Sequence, residues 1–252
     1  MKSFSLILPT LKAHQELELC LNSIERNSKL ENELIVIVDV EQNGHVNKNV
    51  INLLRGKKIN YYLNNTNLGP YRSWNKGAKI AKKEILCFIT DDQYFAKGWD
   101  IGIMKFMKEN LIISGQLVEP GVLLPSFPTI VKDFGDGANN FKEKEFLNFA
   151  KNIKKDRLVD GIFFIPLAIF KKNFFELNNF PTRGKFGTKS IPNDQQFVKK
   201  SIQRGLQFRT SLAGISYHFQ AASWGKNRKI KKLINKLKLI LLKDKLLKIQ
   251  KV

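Results

Sequence analysis

Two adjacent carboxylates, Asp91 and Asp92, follow a run of five apolar residues at positions 85–89. An uninterrupted apolar run of this length is typical of a parallel strand that is buried on both faces. Ionised oxygens at the end of such a strand are costly unless a cation meets them, and a divalent metal meets this need. Because ligands of open α/β sheets bind at the carboxyl ends of the strands, the pair predicts a metal-held substrate there. The alternative interpretation is a solvated Asp-Asp turn.

An earlier part of the chain predicts a strand–helix–strand unit that leads to the same edge. Residues 4–8 and 34–38 are mainly apolar runs that predict buried strands. Between them, apolar side chains recur at the spacing of one helix face, at Leu17, Cys20, Leu21 and Ile24. The first strand is expected to end at Pro9, which cannot donate to a ladder, and the second ends at Asp39. Parallel strands of such a unit direct Thr10 and Asp39 to one edge, although Asp39 is also compatible with an ordinary turn.

A third strand and a second helix complete this half of the predicted sheet. Residues 58–64 predict a weaker strand, the turn Asn67–Gly69 follows it, and Pro70 suits the first turn of a helix. We therefore expect the strand ends, this turn and the carboxylate pair to meet at one rim, which is the layout of a nucleotide site. Neither the G-x-G-x-x-G nor the G-x-x-x-x-G-K-[ST] motif is present, so the dinucleotide-binding and P-loop classes lack their phosphate loops.

The second half of the chain holds two further candidate residues. We expect a strand at 111–115, an irregular segment at 119–140, a helix at 146–153 and a strand at 160–165. After a loop that contains Gly and Pro, a helix starts near Asp194, whose alternative role is an N-terminal cap. His218 ends a short apolar stretch. It is either a satisfied histidine at a strand edge or a contact to a metal or a diphosphate.

Composition limits the class of protein and of partner. The 252 residues include 43 Lys and Arg against 22 Asp and Glu, which gives a formal charge of +21. A hydrophobic content of 43% predicts a globular chain with a large core rather than a disordered one. The excess of positive charge predicts an acidic partner, which is phosphate, nucleic acid or anionic lipid. The two cysteines lie in apolar elements and indicate packing in a reducing compartment rather than a disulfide framework.

The segment 226–252 differs from the rest of the chain. It contains eleven Lys or Arg and a single acid, Asp244. Its apolar residues follow helical spacing at Ile230, Leu233, Ile234, Leu237 and Leu241. This pattern predicts a basic amphipathic helix on an anionic membrane surface, and the alternative is a solvated helix or a disordered tail. Nucleic acid is not expected, because the segment has no aromatic residue to stack on bases.

Location is predicted from the start of the chain and from its apolar runs. The first strand begins at once, without a signal peptide, and no apolar run approaches the roughly 20 residues that cross a bilayer. We therefore expect a cytoplasmic protein that is peripheral on the inner face of the cell membrane.

Four stretches resemble the successive landmarks of family-2 glycosyltransferases of the GT-A fold. They are Ser5–Thr10, Glu33–Asp39, Asn67–Gly69 with Asn75-Lys-Gly77, and Phe88–Asp92. The resemblance implies an α/β protein with a Rossmann-like mixed sheet flanked by helices, here with the basic amphipathic helix at the C-terminal end. It also implies inverting transfer of a sugar from a nucleotide-sugar, with UDP as the carrier expected on family grounds, to a hydroxyl of a glycan or lipid-linked acceptor. Surface polysaccharide or lipopolysaccharide-type synthesis would be the setting.

The resemblance also implies a role for each matching residue. The donor nucleotide would be bound by Pro9, Thr10, Asp39, Asn67, Gly69 and Asp91. Asp92 would ligate Mn²⁺ or Mg²⁺ on the donor diphosphate, and His218 would be a further metal ligand. Asp194 would be the catalytic base. Residues 1–118 would form the nucleotide-sugar-binding half of one domain, 119–225 the acceptor-binding half, and 226–252 the membrane-associating tail.

Three positions depart from the family pattern and leave two other functions open. Thr90 replaces the first acid of the Asp-x-Asp motif, Trp74 stands where the family commonly has Arg, and Asn193 replaces an acid beside the base. These departures are compatible with a non-catalytic protein that binds nucleotide-sugar or anionic lipid. A sugar nucleotidyltransferase of related fold is the other alternative, and it is disfavoured because no Gly-rich, Arg-containing loop follows the first strand.

Overall fold

A computed structural model describes residues 2–12, 14–121, 128–161, 165–182 and 193–220. Its strands are β1 (Phe4–Thr10), β2 (Glu33–Val38), β3 (Tyr61–Leu63), β4 (Ile85–Phe88), β5 (Gln93–Phe95), β6 (Leu111–Glu119), β7 (Ile130–Val131), β8 (Leu158–Asp160), β9 (Leu167–Phe170) and β10 (Gln207–His218). Its α-helices are α1 (His14–Asn27), α2 (Lys48–Gly56), α3 (Gly69–Ile80), α4 (Trp99–Met104), α5 (Glu143–Ile153), α6 (Lys171–Glu176) and α7 (Asn193–Gln203). A short 3₁₀ helix covers Ala138–Asn140.

All ten strands belong to one mixed sheet. The order along its main path is β3-β2-β1-β4-β9-β6-β10-β5, with β7 beside β6 and β8 beside β10. Strands β1 to β4 are mutually parallel, as the strand–helix–strand pattern predicted. Strand β9 is antiparallel to its neighbours β4 and β6, whereas β6 and β10 are parallel. The carboxyl ends of β1, β2, β4, β6 and β10 therefore point to the same edge of the sheet.

Apolar layers cover both faces of this sheet. One layer contains the predicted stripe of α1 together with residues of α2 and α4, and the other contains residues of α3, α6 and α7. Gly77 allows the close approach of α3 that its small residues predicted, because a Cβ at this position would overlap Ile7 of β1. Cys20 and Cys87 are both free and buried, as expected for packing residues. Full burial of side chains such as Phe88 and Phe174 contributes about 1.5–3 kcal/mol each.

The expected end of β1 at Pro9 was wrong, because the strand continues to Thr10. Pro9 pairs with Ile37 of β2. The side of the strand on which its missing N–H lies faces β4, and the last bond on that side runs from the Ile89 N–H to the Ile7 carbonyl. Since the pairing of β1 with β4 ends at Ile7 and Phe88, proline at position 9 removes no ladder bond on that side.

Several elements of the sheet were not predicted or were placed differently. The strand expected at 160–165 corresponds to β8, which ends at Asp160, and residues 162–164 lie outside the described part. Strand β9 and helices α2 and α6 were missed, since each is a short segment whose periodicity does not separate helix from strand. The signal available for α2 was its N-cap, where the Asn47 side chain accepts hydrogen bonds from the backbone N–H groups of Asn49 and Val50.

Some predictions stay untested by this structure. The amphipathic tail 226–252 and residues 183–192 of the Gly- and Pro-containing loop lie outside the described residues. The predicted boundary at 118/119 falls at the end of β6, and strands from both predicted halves pair within the same sheet. Within the part that the structure describes, no helix has both the length and the apolar character needed to span a membrane.

Candidate functional site

The ends of β1 and β4 bring Thr10 and Asp91 together, as the sequence predicted. The Thr10 hydroxyl donates to Asp91 Oδ2 at 2.6 Å, across 81 residues of sequence. Burial and the adjacent charge of Asp92 raise the pKa of Asp91 to about 7. A carboxyl group with this pKa exchanges its proton near neutrality, so it can accept or donate a hydrogen bond to a ribose or sugar hydroxyl.

Asp39, at the end of β2, has a structural role that the sequence did not predict. Its carboxylate, 5% exposed, accepts from the backbone N–H groups of Leu68 at 3.0 Å and Gly69 at 2.7 Å, at the start of α3. It also accepts from Asn64 Nδ2 and from the N–H of Val40, both at 3.1 Å. A carboxylate has about four acceptor positions, so these donors fasten α3 to the sheet and occupy most of its capacity. The contact of Asp39 to a base stays a prediction.

The predicted turn Asn67–Gly69 is held against the same strand end. The Asn67 side-chain amide donates to the carbonyl of Val40, the second residue after β2. Gly69 has φ +72°, a left-handed conformation that glycine adopts without strain, while its N–H binds Asp39. The predicted donor-binding residues on β1, β2 and this turn therefore lie side by side along the edge.

Asp92 and His218 are in contact although they lie far apart in the sequence, and the pairing of β5 with β10 explains this contact. His218 pairs with Gln93 across β10 and β5, and the N–H of Phe219 donates to the carbonyl of Asp92 at 3.0 Å. These backbone contacts place His218 Nε2 3.3 Å from Asp92 Oδ2. The two residues that the family resemblance implies as metal ligands are therefore neighbours.

Glu119 is a third charged residue at this place, and sequence reasoning missed it. Its Oε1 lies 2.7 Å from His218 Nδ1, and its side chain is 2% exposed. The available signal was the same as for the predicted carboxylates, because Glu119 is the last residue of a strand whose nine residues are all buried. An acid at the carboxyl end of such a strand needs a partner, and His218 supplies it.

The contacts of His218 with the two carboxylates change the protonation of His218 and of Asp92. Burial acts to lower the pKa of His218, but the carboxylates of Asp92 and Glu119 outweigh it and raise the pKa to about 10. Burial acts to raise the pKa of Asp92, yet the His218 charge outweighs it and keeps the pKa below its ordinary value. Without a bound cation, His218 is therefore an imidazolium near pH 7 and offsets part of the negative charge of this edge.

This arrangement predicts a loss of stability in alkaline solution. The native state binds more protons at His218 than the unfolded chain between pH 6.5 and about 10. The stabilisation is therefore complete below the unfolded pKa and is lost as the pH rises through the folded pKa. We expect the urea midpoint of the native protein to fall over this range more steeply than that of His218→Gln.

The exposed histidine His45 offers the matched control for this measurement. His45→Gln should keep the pH dependence of the native protein, because its side chain lies in solvent. Parallel curves for the native protein and His218→Gln would contradict the assignment of the alkaline transition to His218.

Asp194 lies in the first turn of α7, where the sequence placed the start of a helix. Its Oδ1 accepts from the N–H of the next residue, Gln195, at 2.8 Å, so it does not show the usual cap contact to the second or third helical N–H. Tyr71 of α3 adjoins it. Burial, followed by the charge of Asp194, raises the pKa of the Tyr71 hydroxyl, which also meets the backbone of Asp194. Asp194 is thus connected through α3 to the turn that Asp39 holds.

The described residues contain no group of three or more His, Cys, Asp or Glu side chains arranged to hold a metal ion. The pair formed by Asp92 and His218 supplies one carboxylate oxygen and one imidazole nitrogen. Such a pair fits a divalent cation that takes its remaining ligands from substrate phosphates and water, as Mg²⁺ commonly does. The donor set therefore fits a metal shared with a diphosphate better than a metal held by protein alone.

The mixed sheet, its flanking helices and the acidic carboxyl edge define the GT-A class of nucleotide-sugar-binding folds. Crystal structures of two glycosyltransferases share it. One is GalNAc-T7 with UDP, GalNAc and Mn²⁺, at TM-score 0.61 and 12% identity over 86% of this chain and 43% of that one. The other is S. aureus TarS 1-349, at TM-score 0.56 and 15% identity over 86% of this chain and 60% of that one. The chain thus spans less than two thirds of the length of each of these two chains.

The chain belongs to glycosyl transferase family 2, whose sequence model matches residues 5–176. The match covers the four landmark stretches and the strands β6 and β9, whereas β10 lies beyond it. A search among curated proteins finds no match. The family resemblance and the GT-A fold expected from the sequence are therefore confirmed.

Proposed function

We propose that the chain is a metal-dependent inverting glycosyltransferase that moves a sugar from a UDP-linked donor to a hydroxyl of a glycan or lipid-linked acceptor. The contact between Asp92 and His218 at the carboxyl edge of the sheet carries this proposal. It provides a place for a cation beside Asp91 and Thr10, where the sugar nucleotide of a family member is expected to lie. The presence of UDP, GalNAc and Mn²⁺ in the GalNAc-T7 structure is consistent with this donor and this kind of metal.

The donor side works by stabilising a leaving group. Breaking the bond between the sugar and the phosphate leaves a nucleoside diphosphate with additional negative charge. Asp92 and His218 would hold Mn²⁺ or Mg²⁺, which stabilises this charge when bound. Asp91 and Thr10 would orient the ribose or the sugar, and Pro9 would line the base beside Asp39, Asn67 and Gly69.

The acceptor side works by activating a hydroxyl group. A hydroxyl is a weak nucleophile, and Asp194 would take its proton as the oxygen attacks the anomeric carbon. The acceptor oxygen forms the new bond, the donor oxygen leaves with the diphosphate, and the configuration at the anomeric carbon is inverted. Asp194 adjoins Tyr71 of α3, the helix whose start is held by Asp39.

The setting of the reaction is proposed from the sequence. The basic segment 226–252 would bind the anionic inner face of the cell membrane, where lipid-linked acceptors for surface polysaccharide or lipopolysaccharide-type synthesis lie. Residues 119–225 would supply most acceptor contacts. Each well-placed cation of the tail would contribute about 1 kcal/mol to membrane association.

A panel of nucleotide-sugars tests the proposal. The full chain is incubated with UDP-, GDP- and dTDP-sugars in the presence of Mn²⁺ or EDTA, and the released nucleoside diphosphate is measured. We expect one UDP-sugar to be hydrolysed faster with Mn²⁺ and to stabilise the fold by about 2.7 kcal/mol at 100 times its dissociation constant. Stabilisation without release, even with membrane-derived acceptors, would instead identify a binding protein. No stabilisation by any donor would contradict both functions.

A further inference from the structure

We propose that Glu119 is a positioning residue for the metal site, because it fixes the orientation and the proton of His218. The inference rests on the proposed function, in which His218 and Asp92 share a cation. Imidazole has two nitrogens, and only one can face the cation. His218 Nδ1 lies 2.7 Å from Glu119 Oε1, while Nε2 faces Asp92 Oδ2 at 3.3 Å. The geometry therefore assigns Nδ1 to Glu119 and Nε2 to the cation.

The proton arrangement follows from this assignment. A ligating nitrogen must be without its proton, so the proton of the neutral ring has to be on the other nitrogen. A carboxylate that accepts the Nδ1–H bond holds this tautomer and makes Nε2 a better ligand. Glu119 contributes nothing else to the cation, since its oxygen is on the opposite side of the ring from Asp92.

The backbone around Glu119 gives this contact a fixed geometry. Val118 pairs with Tyr217 in the parallel ladder of β6 and β10, and Glu119 pairs with Val131 of β7 on the other side. Its carbonyl accepts from the N–H of Lys132 at 2.9 Å. Because the strand is held on both sides, a change of the Glu119 side chain is expected to leave the fold in place.

An irregularity in β10 decides which residue meets Glu119. Ser211 pairs with Gly115, but the next paired residue, Ile215, lies opposite Gln116. The bulge between them shifts the register by three residues. Had the ladder continued without it, Ile215 would lie beside Glu119, and an acid would face an apolar residue. The bulge therefore places His218, rather than an apolar side chain, beside the carboxylate of Glu119.

Mn²⁺ affinity in the presence of UDP provides the test, because it requires no turnover. Free Mn²⁺ is measured by electron paramagnetic resonance for the full chain and for Glu119→Gln and Glu119→Ala. We expect the Mn²⁺ affinity to be about 10-fold lower for Glu119→Gln and about 100-fold lower for Glu119→Ala, which is the range for carboxylates that hold a ligating histidine. Glu119→Gln keeps the volume of the side chain. A thermal unfolding curve of each variant serves as the check that the variant is folded.

Glu33→Gln is the matched control. Glu33 is also a carboxylate that accepts a hydrogen bond, from the backbone N–H of Lys82 at 2.8 Å. It is the first residue of β2 and therefore lies at the edge of the sheet opposite to the carboxyl ends. It should keep native Mn²⁺ affinity. If Glu119→Gln and Glu119→Ala bind Mn²⁺ within twofold of the native chain, or lose no more than Glu33→Gln, the inference is overturned.

Two reference variants separate this inference from the proposed function. Asp92→Asn and His218→Ala should both lose Mn²⁺ affinity by more than Glu119→Gln. If they bind Mn²⁺ as the native chain does, the metal site of the proposed function fails. If they lose affinity and the Glu119 variants do not, only the role of Glu119 fails. In the native chain with Mg²⁺ and UDP, ¹⁵N spectra should show the His218 proton on Nδ1, and Glu119→Ala should populate the other tautomer.

Discussion

Asp92→Ala is expected to reduce the release of nucleoside diphosphate from the donor by about 1,000-fold. The change removes a metal ligand and with it several kcal/mol of charge stabilisation, at about 1.36 kcal/mol for each tenfold in rate. His218 keeps its contact to Glu119, and the carbonyl of residue 92 still accepts from the Phe219 N–H. The fold should therefore persist while the rate falls. Steady-state release with saturating Mn²⁺ measures the effect.

Asp156→Ala provides the control for this variant. Asp156 is a carboxylate with 73% of its side chain exposed and pairs with Lys105 at the surface. Its loss should leave turnover within twofold of the native value, since exposed ion pairs contribute little. Near-native turnover of Asp92→Ala would remove the metal role. A crystal structure with nucleotide and Mn²⁺ in which Asp92 turns away from both would do the same.

Asp194→Asn should lower the transfer rate by about 10²–10⁴-fold and leave folding almost unchanged. General-base catalysis of this size corresponds to roughly 3–5 kcal/mol. The structural contribution of Asp194 is smaller, because a carboxylate in the first turn of a helix stabilises it by about 0.3–1 kcal/mol. The asparagine side chain retains an oxygen for the Gln195 N–H, so α7 should form as before.

The assay for Asp194→Asn uses sugar transfer at saturating donor and acceptor, with the urea midpoint measured beside it. Asp160→Asn, at an exposed strand end where Asp160 pairs with Arg209, is the matched control and should keep its turnover. Donor binding by Asp194→Asn should be native, because the base acts on the acceptor. A turnover close to that of the native chain would show that another group accepts the proton.

Much of the donor side of the fold could be predicted from local pattern. The helix stripe around Leu17 and Leu21 is buried as expected, and strands β1 and β2 are parallel as expected. These predictions hold because a period of 3.6 or a continuous apolar run reports directly on which faces are buried. The start of α7 near Asp194 was predictable for a similar reason, since polar helix starts are encoded within a few residues.

Other features depended on contacts between distant strands. Pro9 remains within β1 because the pairing with β4, on the side of its missing N–H, already ends at Ile7. The carboxylate of Asp39 is occupied by donors from the start of α3, about 30 residues later in the chain. Neither result follows from the residues next to each position, because each depends on which neighbour lies beside the strand at that level.

Local pattern is enough to predict that acidic residues end apolar strands and that these ends share one edge, because the direction of parallel strands follows from their connections. The contact of Glu119 with the His218 ring, 99 residues later and with Asp92 at the other ring nitrogen, depends on the tertiary structure. The bulge in β10 sets this pairing through a shift in register. Register is a relation between two strands, and neither strand carries it alone.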